Sequence, residues 1–329
     1  MVLPLPLLFL FLLVSACVAQ PPPKFRCSSK SNCQALAGYV PPREMTYEAV
    51  RGLFDVASFY DLYGANGLNE TTPTSNKIPS NTTVRIPFTC TCGNGTGVSE
   101  RRPFYAVKNG DSLLAIAGEI FGGLVTFQQI AAANGVANAS LINAGQRLFI
   151  PLPCSCDDID IHTIHLAHVV KQGSTQAEVS REFGLSEASL ISRNSISDPK
   201  SLLPGQVLDV PLTTCSSSSI HRDSPDYGLL VPNGSYALTA GNCIRLWCVT
   251  APDSLLNTTL RCNQQLCNSN ESPDHQQEIQ IPYISACMVT WCFYAGFDSG
   301  KILTTTTSSS TCGELHDSGP LMAVDLVSL

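Results

Sequence analysis

Clustered positive charge is the first thing this sequence lacks. Its 19 Lys and Arg face 26 Asp and Glu, the formal charge is −7, and the longest basic run is Arg101-Arg102. Nucleic-acid binding draws on concentrated Lys and Arg to neutralise phosphates, so no nucleic-acid partner is expected. Cys-x2-Cys spacing is absent too, which argues against a structural zinc site. There is neither a Gly-x-Ser-x-Gly elbow nor a Gly-rich phosphate loop, the local signatures of acyl-transfer nucleophiles and nucleotide cradles. The longest apolar run, Leu3 to Val14, falls short of the ~20 residues needed to cross a bilayer. It reads instead as the core of a secretory signal, although no Lys or Arg precedes it. Small residues at Ser15, Ala16 and Ala19 place cleavage after Ala19, with Ala16 as the alternative.

What is abundant is cysteine. Of 15 cysteines one, Cys17, lies within the signal, and the remaining 14 are an even number. Export to an oxidising compartment makes seven disulfides the natural reading and leaves no free thiol as a nucleophile. Sequons begin at Asn69, Asn81, Asn94, Asn138, Asn233, Asn257 and Asn270, each implying a surface loop where used. Pro273 directly follows the last of them.

The chain also repeats itself. The clearest copy runs from Phe104 to Pro151. A short strand, Phe104 to Lys108, is followed by the turn Asn109-Gly110, and Asp111 or Ser112 then caps a helix. Leu113, Ile116, Ala117 and Ile120 share one helical face, and Gly122-Gly123 ends the helix. Thr126 caps a second helix, Phe127 to Ala133, and Arg147 to Ile150 form a closing strand. The unit is strand–helix–helix–strand, with its terminal strands paired. A later copy, about Ala167 to Pro211, repeats the pattern: His168 to Ser174 mirrors Tyr105 to Asp111, and Pro204-Gly205-Gln206 mirrors Ala144-Gly145-Gln146. In it Thr175 and Glu178 have capping-box spacing. An earlier copy, about Ala37 to Pro87, is more divergent and has lost its Gly-Gln turn. Three columns align in all copies: Leu62, Ile130 and Leu190 as helix core; Asn66, Asn134 and Asn194 ending that helix; Leu68, Val136 and Ile196 on the loop beyond. Asparagine at such an end either adopts a left-handed backbone or bonds local amides. The apolar loop residues are either ligand contacts or plugs beneath the loop. A unit this small buries too little apolar surface to be comfortably stable alone. Cys90-x-Cys92 and Cys154-x-Cys156, just after the first two copies, supply crosslinks each contributing roughly 2–4 kcal/mol.

Val-Lys-x-Gly-(Asp/Ser)-(Ser/Thr), the helix-ending Asn and Gly-Gln-x-Leu-x-(Ile/Val)-Pro-Leu resemble the LysM module, and three in tandem separated by Cys-x-Cys resemble plant LysM receptor ectodomains. Phe25-Arg-Cys27, Gly122 to Thr126, Ile150 to Cys156 and Leu229 to Tyr236 narrow the resemblance to the kinase-less, lipid-anchored LysM receptor-like proteins that sense chitin or peptidoglycan. The resemblance implies an α+β fold of three tandem βααβ modules locked by disulfides, then a small Cys-rich, β-rich C-terminal domain. The expected division is a signal peptide (1–19), LysM 1 with an N-terminal Cys segment (20–92), LysM 2 (104–156), LysM 3 (166–214), the Cys-rich domain (215–312) and a tail without a clear anchor signal (313–329). It implies the disulfides Cys27–Cys92, Cys33–Cys156 and Cys90–Cys154, the other eight cysteines pairing within the C-terminal region.

The resemblance further implies a cleft for N-acetylglucosamine polymers between the strand-one/helix-one loop and the helix-two/strand-two loop. The middle copy matches best, which assigns glycan contacts to Asn109, Gly110, Asp111, Ser112 and Leu113, and to Asn134, Gly135, Val136, Ala137 and Asn138. Backbone amides and carbonyls would bond acetamido groups, and Val136 would pack on an acetyl methyl. Asn138-Ala-Ser140 places a sequon in that same loop. The implied partners are chitin oligomers or peptidoglycan, a LysM receptor kinase as co-receptor and a ligand-induced homo-oligomer; no cofactor or metal is implied. The implied location is extracellular, on the outer face of the plasma membrane where a lipid anchor is attached and released from the cell otherwise.

Catalysis finds little support. A glycosidase needs paired carboxylates on a sizeable scaffold, whereas Asp157, Asp158 and Asp160 sit in a linker. His162, His165 and His168 enter a strand, whose period of two splits them between faces. Trp247 and Trp291, each beside a cysteine, read as packing against a disulfide, with a second sugar platform as the alternative.

Overall fold

A computed structural model describes residues 25–27, 32–79, 81–138, 141–156, 163–196, 202–249, 256–260, 283–285, 288–310 and 325–327. The signal peptide, the acidic linker residues, His162, Asn270 and Cys262, Cys267, Cys287 and Cys312 lie outside them.

Three βααβ modules follow one another. The first comprises β1 (Asn32–Tyr39), α1 (Tyr47–Phe54), α2 (Phe59–Ala65) and β2 (Val84–Gly93), followed by a linker strand, β3 (Thr96–Ser99). The second comprises β4 (Phe104–Ala106), α3 (Leu113–Ala115), a π-helical turn over Ile116–Ile120, α4 (Phe127–Ala133) and β5 (Arg147–Phe149), then the linker strand β6 (Pro153–Cys154). The third comprises β7 (Thr163–Val169), α5 (Gln176–Phe183), α6 (Glu187–Asn194) and β8 (Val207–Ser216). Among the described residues, the C-terminal region contributes the strands β9 (Leu230–Pro232), β10 (Tyr236–Thr239), β11 (Ile244–Cys248), β12 (Leu256–Leu260), β13 (Tyr283–Ser285), β14 (Met288–Asp298), β15 (Lys301–Ser310) and β16 (Asp325–Val327). In each module the first strand pairs antiparallel with the last.

Local chemistry starts every helix. Thr46, Ser58, Ser112, Thr126, Thr175 and Ser186 each accept a backbone N–H three residues on, satisfying donors that a helix leaves orphaned. Ser112, not Asp111, is thus the cap of the second module's first helix; Asp111 instead accepts from the Lys108 amide at 2.7 Å and the Tyr105 hydroxyl at 2.8 Å. That helix departs from the single amphipathic helix expected. It widens into a π turn, closed by Phe121 N donating to Ile116 O at 3.0 Å. The extra residue brings Phe121 into the core, where its ring meets Phe54 and Tyr105 edge-on.

The structure decides between the two roles open to the Asn column. Asn66 and Asn134 have φ of −103° and −109°, so neither is left-handed. Each side chain clips its helix to its module's last strand. The Asn134 carboxamide donates to Ile130 O (2.8 Å) and Phe149 O (2.7 Å) and accepts from Phe149 N (2.8 Å). Asn66 does the same with Leu62 and Arg85, and Asn194 with Leu190 and Asp209. Only a side chain offering both donor and acceptor at this length makes all three bonds.

The modules fuse. One seven-stranded sheet runs β6-β3-β2-β1-β7-β8-β9, because β1 pairs parallel with β7 over Ala35 to Gly38 against His165 to His168. Modules one and two share a core that includes Tyr39, Phe54, Leu62, Phe121, Ile130 and Leu148. The Tyr39 hydroxyl crosses from one module to the next, donating to Ile120 O at 2.9 Å. The structure forms the bonds Cys27–Cys92, Cys33–Cys156 and Cys90–Cys154, and Cys215–Cys248 joins the end of β8 to β11. The sulfurs of Cys27, Cys90, Cys92 and Cys156 lie within 4.8 Å of one another, yet each is consumed in a disulfide.

The third module carries polar groups where the second is apolar. His168, Gln176 and Ser180 stand in the places of Tyr105, Leu113 and Ala117, and all three are buried. His168 Nδ1, both Gln176 amide atoms and Ser180 Oγ have no hydrogen-bond partner among the described residues. Burial, aided by Lys171, pushes the His168 pKa down from 6.5 to about 4. Because the unfolded chain takes up this proton first, the contribution of neutral His168 is intact above pH 6.5 and is lost as pH falls toward 4. Urea midpoints measured over that window should fall by the equivalent of roughly 3 kcal/mol or less, and His168→Phe should flatten this part of the profile. An unchanged pH profile in the variant would show that His168 does not carry the effect.

Candidate glycan cleft

Module two presents its two loops on one core. Behind the first loop Leu113 is buried, and behind the second Val136 packs partly buried against the same core. Asn109, Gly110 and Ser112 are exposed on the first loop, and Gly135, Ala137 and Asn138 on the second. The loops are braced from beneath: Val107 N donates to Gln146 O at 2.9 Å, and Gly145 N to Val107 O at 2.8 Å.

The charges that could mark a catalytic or ionic site are spent locally. The Asp111 carboxylate is held by the Lys108 amide and Tyr105. Burial, reinforced by the bond to Asp111, raises the Tyr105 phenol to about 12, so it stays a neutral donor. The exposed residues of the two loops are small and polar or apolar, Asn109, Gly110, Ser112, Gly135, Ala137 and Asn138, a surface whose chemistry suits a neutral sugar.

The ten residues assigned to the cleft do not stand alike. The Asn134 side chain is committed to its clip, Ser112 Oγ to the helix cap (3.1 Å from Ala115 N), and Leu113 is only 1% exposed. Of the ten, Asn109, Gly110, Gly135, Ala137 and Asn138 are exposed with no side-chain role described above, and Val136 is half-buried. The plug reading accounts for the rest of the apolar column: Leu68 packs against the first core and Ile196 is buried in the third module's core. Sequon asparagines Asn69, Asn81, Asn94, Asn138 and Asn233 are exposed; Ser140 lies outside the described residues.

Two groups singled out from sequence have structural employment. His165 Nδ1 lies 2.7 Å from Asp209 Oδ1, and His168 stacks edge-on against Phe183, so the pair does not converge on a metal position. Trp247, half-buried, stacks on Tyr236 with centroids 5.7 Å apart.

The LysM domain family matches residues 105–151 and 168–211, the second and third modules. LysM domain-containing GPI-anchored protein 2 of Arabidopsis thaliana is 39% identical over 305 residues, covering 89% of this chain and 84% of that protein. The chitin elicitor-binding protein of Oryza sativa subsp. japonica is 39% identical over 291 residues, covering 87% and 81%. LysM domain-containing GPI-anchored protein 3 of Arabidopsis thaliana is 34% identical over 333 residues, covering 97% and 77%. These relatives are named for binding modules and a membrane anchor, not for an enzymatic activity. With repeats, disulfides and such coverage in agreement, the chain belongs to the family of plant LysM domain-containing GPI-anchored proteins.

Proposed function

We propose that this protein is an extracellular pattern-recognition receptor of innate immunity. It captures N-acetylglucosamine polymers, chitin oligomers or peptidoglycan, in the cleft of module two and signals through a partner LysM receptor kinase. The observation that carries the reading is the open pair of loops in that module: a Cβ built on Gly135 would meet nothing within 4 Å. The identity to a rice protein named for binding a chitin elicitor supports the ligand class, and the anchored relatives support a place on the outer face of the plasma membrane. One shallow cleft binds weakly, and a polymer engaging several receptors raises avidity without new contacts.

Pull-down of the secreted chain on insoluble chitin and on peptidoglycan, with reducing ends assayed in parallel, tests this. Depletion of the chain by at least one polymer without release of sugar is expected. Failure to bind either polymer sinks the reading, and steady release of reducing sugar would make the protein a wall hydrolase. Co-precipitation of a LysM receptor kinase only in the presence of oligomer is the expected result for the signalling step.

A further inference from the structure

Module one contains the same loop as module two, and in this chain that loop is already occupied. Asn66-Gly67-Leu68-Asn69-Glu70 aligns without a gap on Asn134-Gly135-Val136-Ala137-Asn138. Against it lies the turn between β9 and β10, Asn233 to Ser235. The carbonyl of Gly234 fills the place a Cβ on Gly67 would take, and the carbonyl of Tyr236 does so at Gly64. Gly67 has φ +62° and Gly135 has φ +64°, so backbone conformation accounts for glycine at that position in both modules. Gly64 is different, being an ordinary helical residue inside α2. Its counterparts in the other modules are Ala132 and Ser192, both exposed. Glycine at 64 is explained by the carbonyl lying over it, not by its own backbone.

Polar contacts lock the same junction. Ser235 is fully buried; its hydroxyl donates to Ala65 O at 3.0 Å and accepts from Arg85 Nη1 at 3.3 Å. Arg245 Nε on β11 lies 3.4 Å from Glu70 Oε1, at the position corresponding to Asn138. Tyr236 is buried in the core shared by modules one and two, with Trp247 stacked behind it. The arm bearing the turn is tethered on both sides: β9 pairs with β8, and Cys215–Cys248 bonds β8 to β11. Tethering raises the effective concentration of the turn at the loop far above that of any dissolved competitor.

We propose that the C-terminal domain is the resident occupant of module one's cleft, so that a protein turn sits there where module two admits a glycan. The module-two half of this statement rests on the proposed function. Its consequence is that an oligomer cannot run from module two into an equivalent cleft on module one, and a polymer must recruit further chains.

Hydrogen exchange of the intact chain, with and without the hexamer of N-acetylglucosamine, tests the proposal. Protection is expected over 134–138 and not over 66–70; equal protection of both segments would overturn it. A ligand-free arm uses Gly64→Ala. In an unobstructed helix this change stabilises, because alanine loses less backbone freedom than glycine. Here it should instead speed exchange in both 62–70 and 233–247 and, with hexamer present, bring new protection at 66–70. Unchanged or slower exchange in the variant would overturn the docking. If the hexamer protects nothing in the parent chain, the glycan reading fails, and the occupancy then stands or falls on the ligand-free Gly64→Ala comparison.

Discussion

Asp209→Asn should destabilise the third module by about 3–5 kcal/mol, the usual cost of removing one partner from a buried ionic cluster. Asp209 is fully buried at the meeting point of three elements. Its carboxylate accepts from Ser155 Oγ at 2.6 Å, lies 2.7 Å from His165 Nδ1 and takes the Arg193 Nε–H at 2.9 Å. Ser155 in turn accepts from the Arg26 amide, so the cluster joins the N-terminal segment, the second Cys-x-Cys and module three. The variant keeps the shape and the clip from Asn194, which uses only the Asp209 backbone. It leaves Arg193 without its counter-charge and puts a neutral amide opposite His165 Nδ1. Burial alone would raise the Asp209 pKa; the hydrogen bond from His165, the charges of His165 and Arg193 and the Ser155 hydroxyl outweigh it and hold the carboxyl below the ordinary aspartate range. The carboxylate form is therefore favoured by folding. Its contribution is present above the unfolded pKa of about 3.9 and is lost as pH falls through the lower folded value. Urea denaturation at pH 7 checks the magnitude, and acid titration of both proteins checks the sign: the parent should lose stability below about pH 4, a loss the variant should lack. Equal stability of the two at pH 7 would refute the assignment.

Val136→Asp should abolish capture of N-acetylglucosamine oligomers. Val136 sits at the floor of the open loop, half-buried against the core, with its amide fixed to Ala131 O at 2.9 Å. A carboxylate there removes the apolar contact for an acetyl methyl and must keep its own water, which a bound sugar would displace. A monovalent oligomer is the proper ligand, since polymer avidity would mask the loss. A fall of more than tenfold in affinity, about 1.4 kcal/mol, is expected. Because Val136 also plugs the loop, the melting curve must be recorded, and Ala137→Arg serves as a second variant. Ala137 is exposed, so a bulky side chain there should block the cleft without touching the core. Two folded variants that bind like the parent would move the site away from module two.

The sequence by itself determined the repeat and the local structure inside it, because those depend on neighbours along the chain. Helix caps at Thr126 and Thr175 need only an amide three residues on, and helical faces such as Leu113, Ile116 and Ala117 need only a period. The Asn column was visible as a column, but its work was not: the partners of Asn134 lie 15 residues away on a strand. Choosing between Asp111 and Ser112 as the cap required seeing Tyr105 and Lys108 close on Asp111.

Tertiary structure alone decided how the modules meet. No periodicity announces that β1 pairs parallel with β7, since Ala35 and His165 are far apart in the chain and interchangeable with many residues of like character. Nor does Gly64 reveal from sequence that a carbonyl 172 residues later will lie over it; a glycine in a helix reads only as a weak point. Which copy of the loop is open is therefore not written in any one copy. It follows from the C-terminal turn packing on module one while, among the described residues, module two's loops stay exposed, and such packing depends on shapes that exist only after each module has folded.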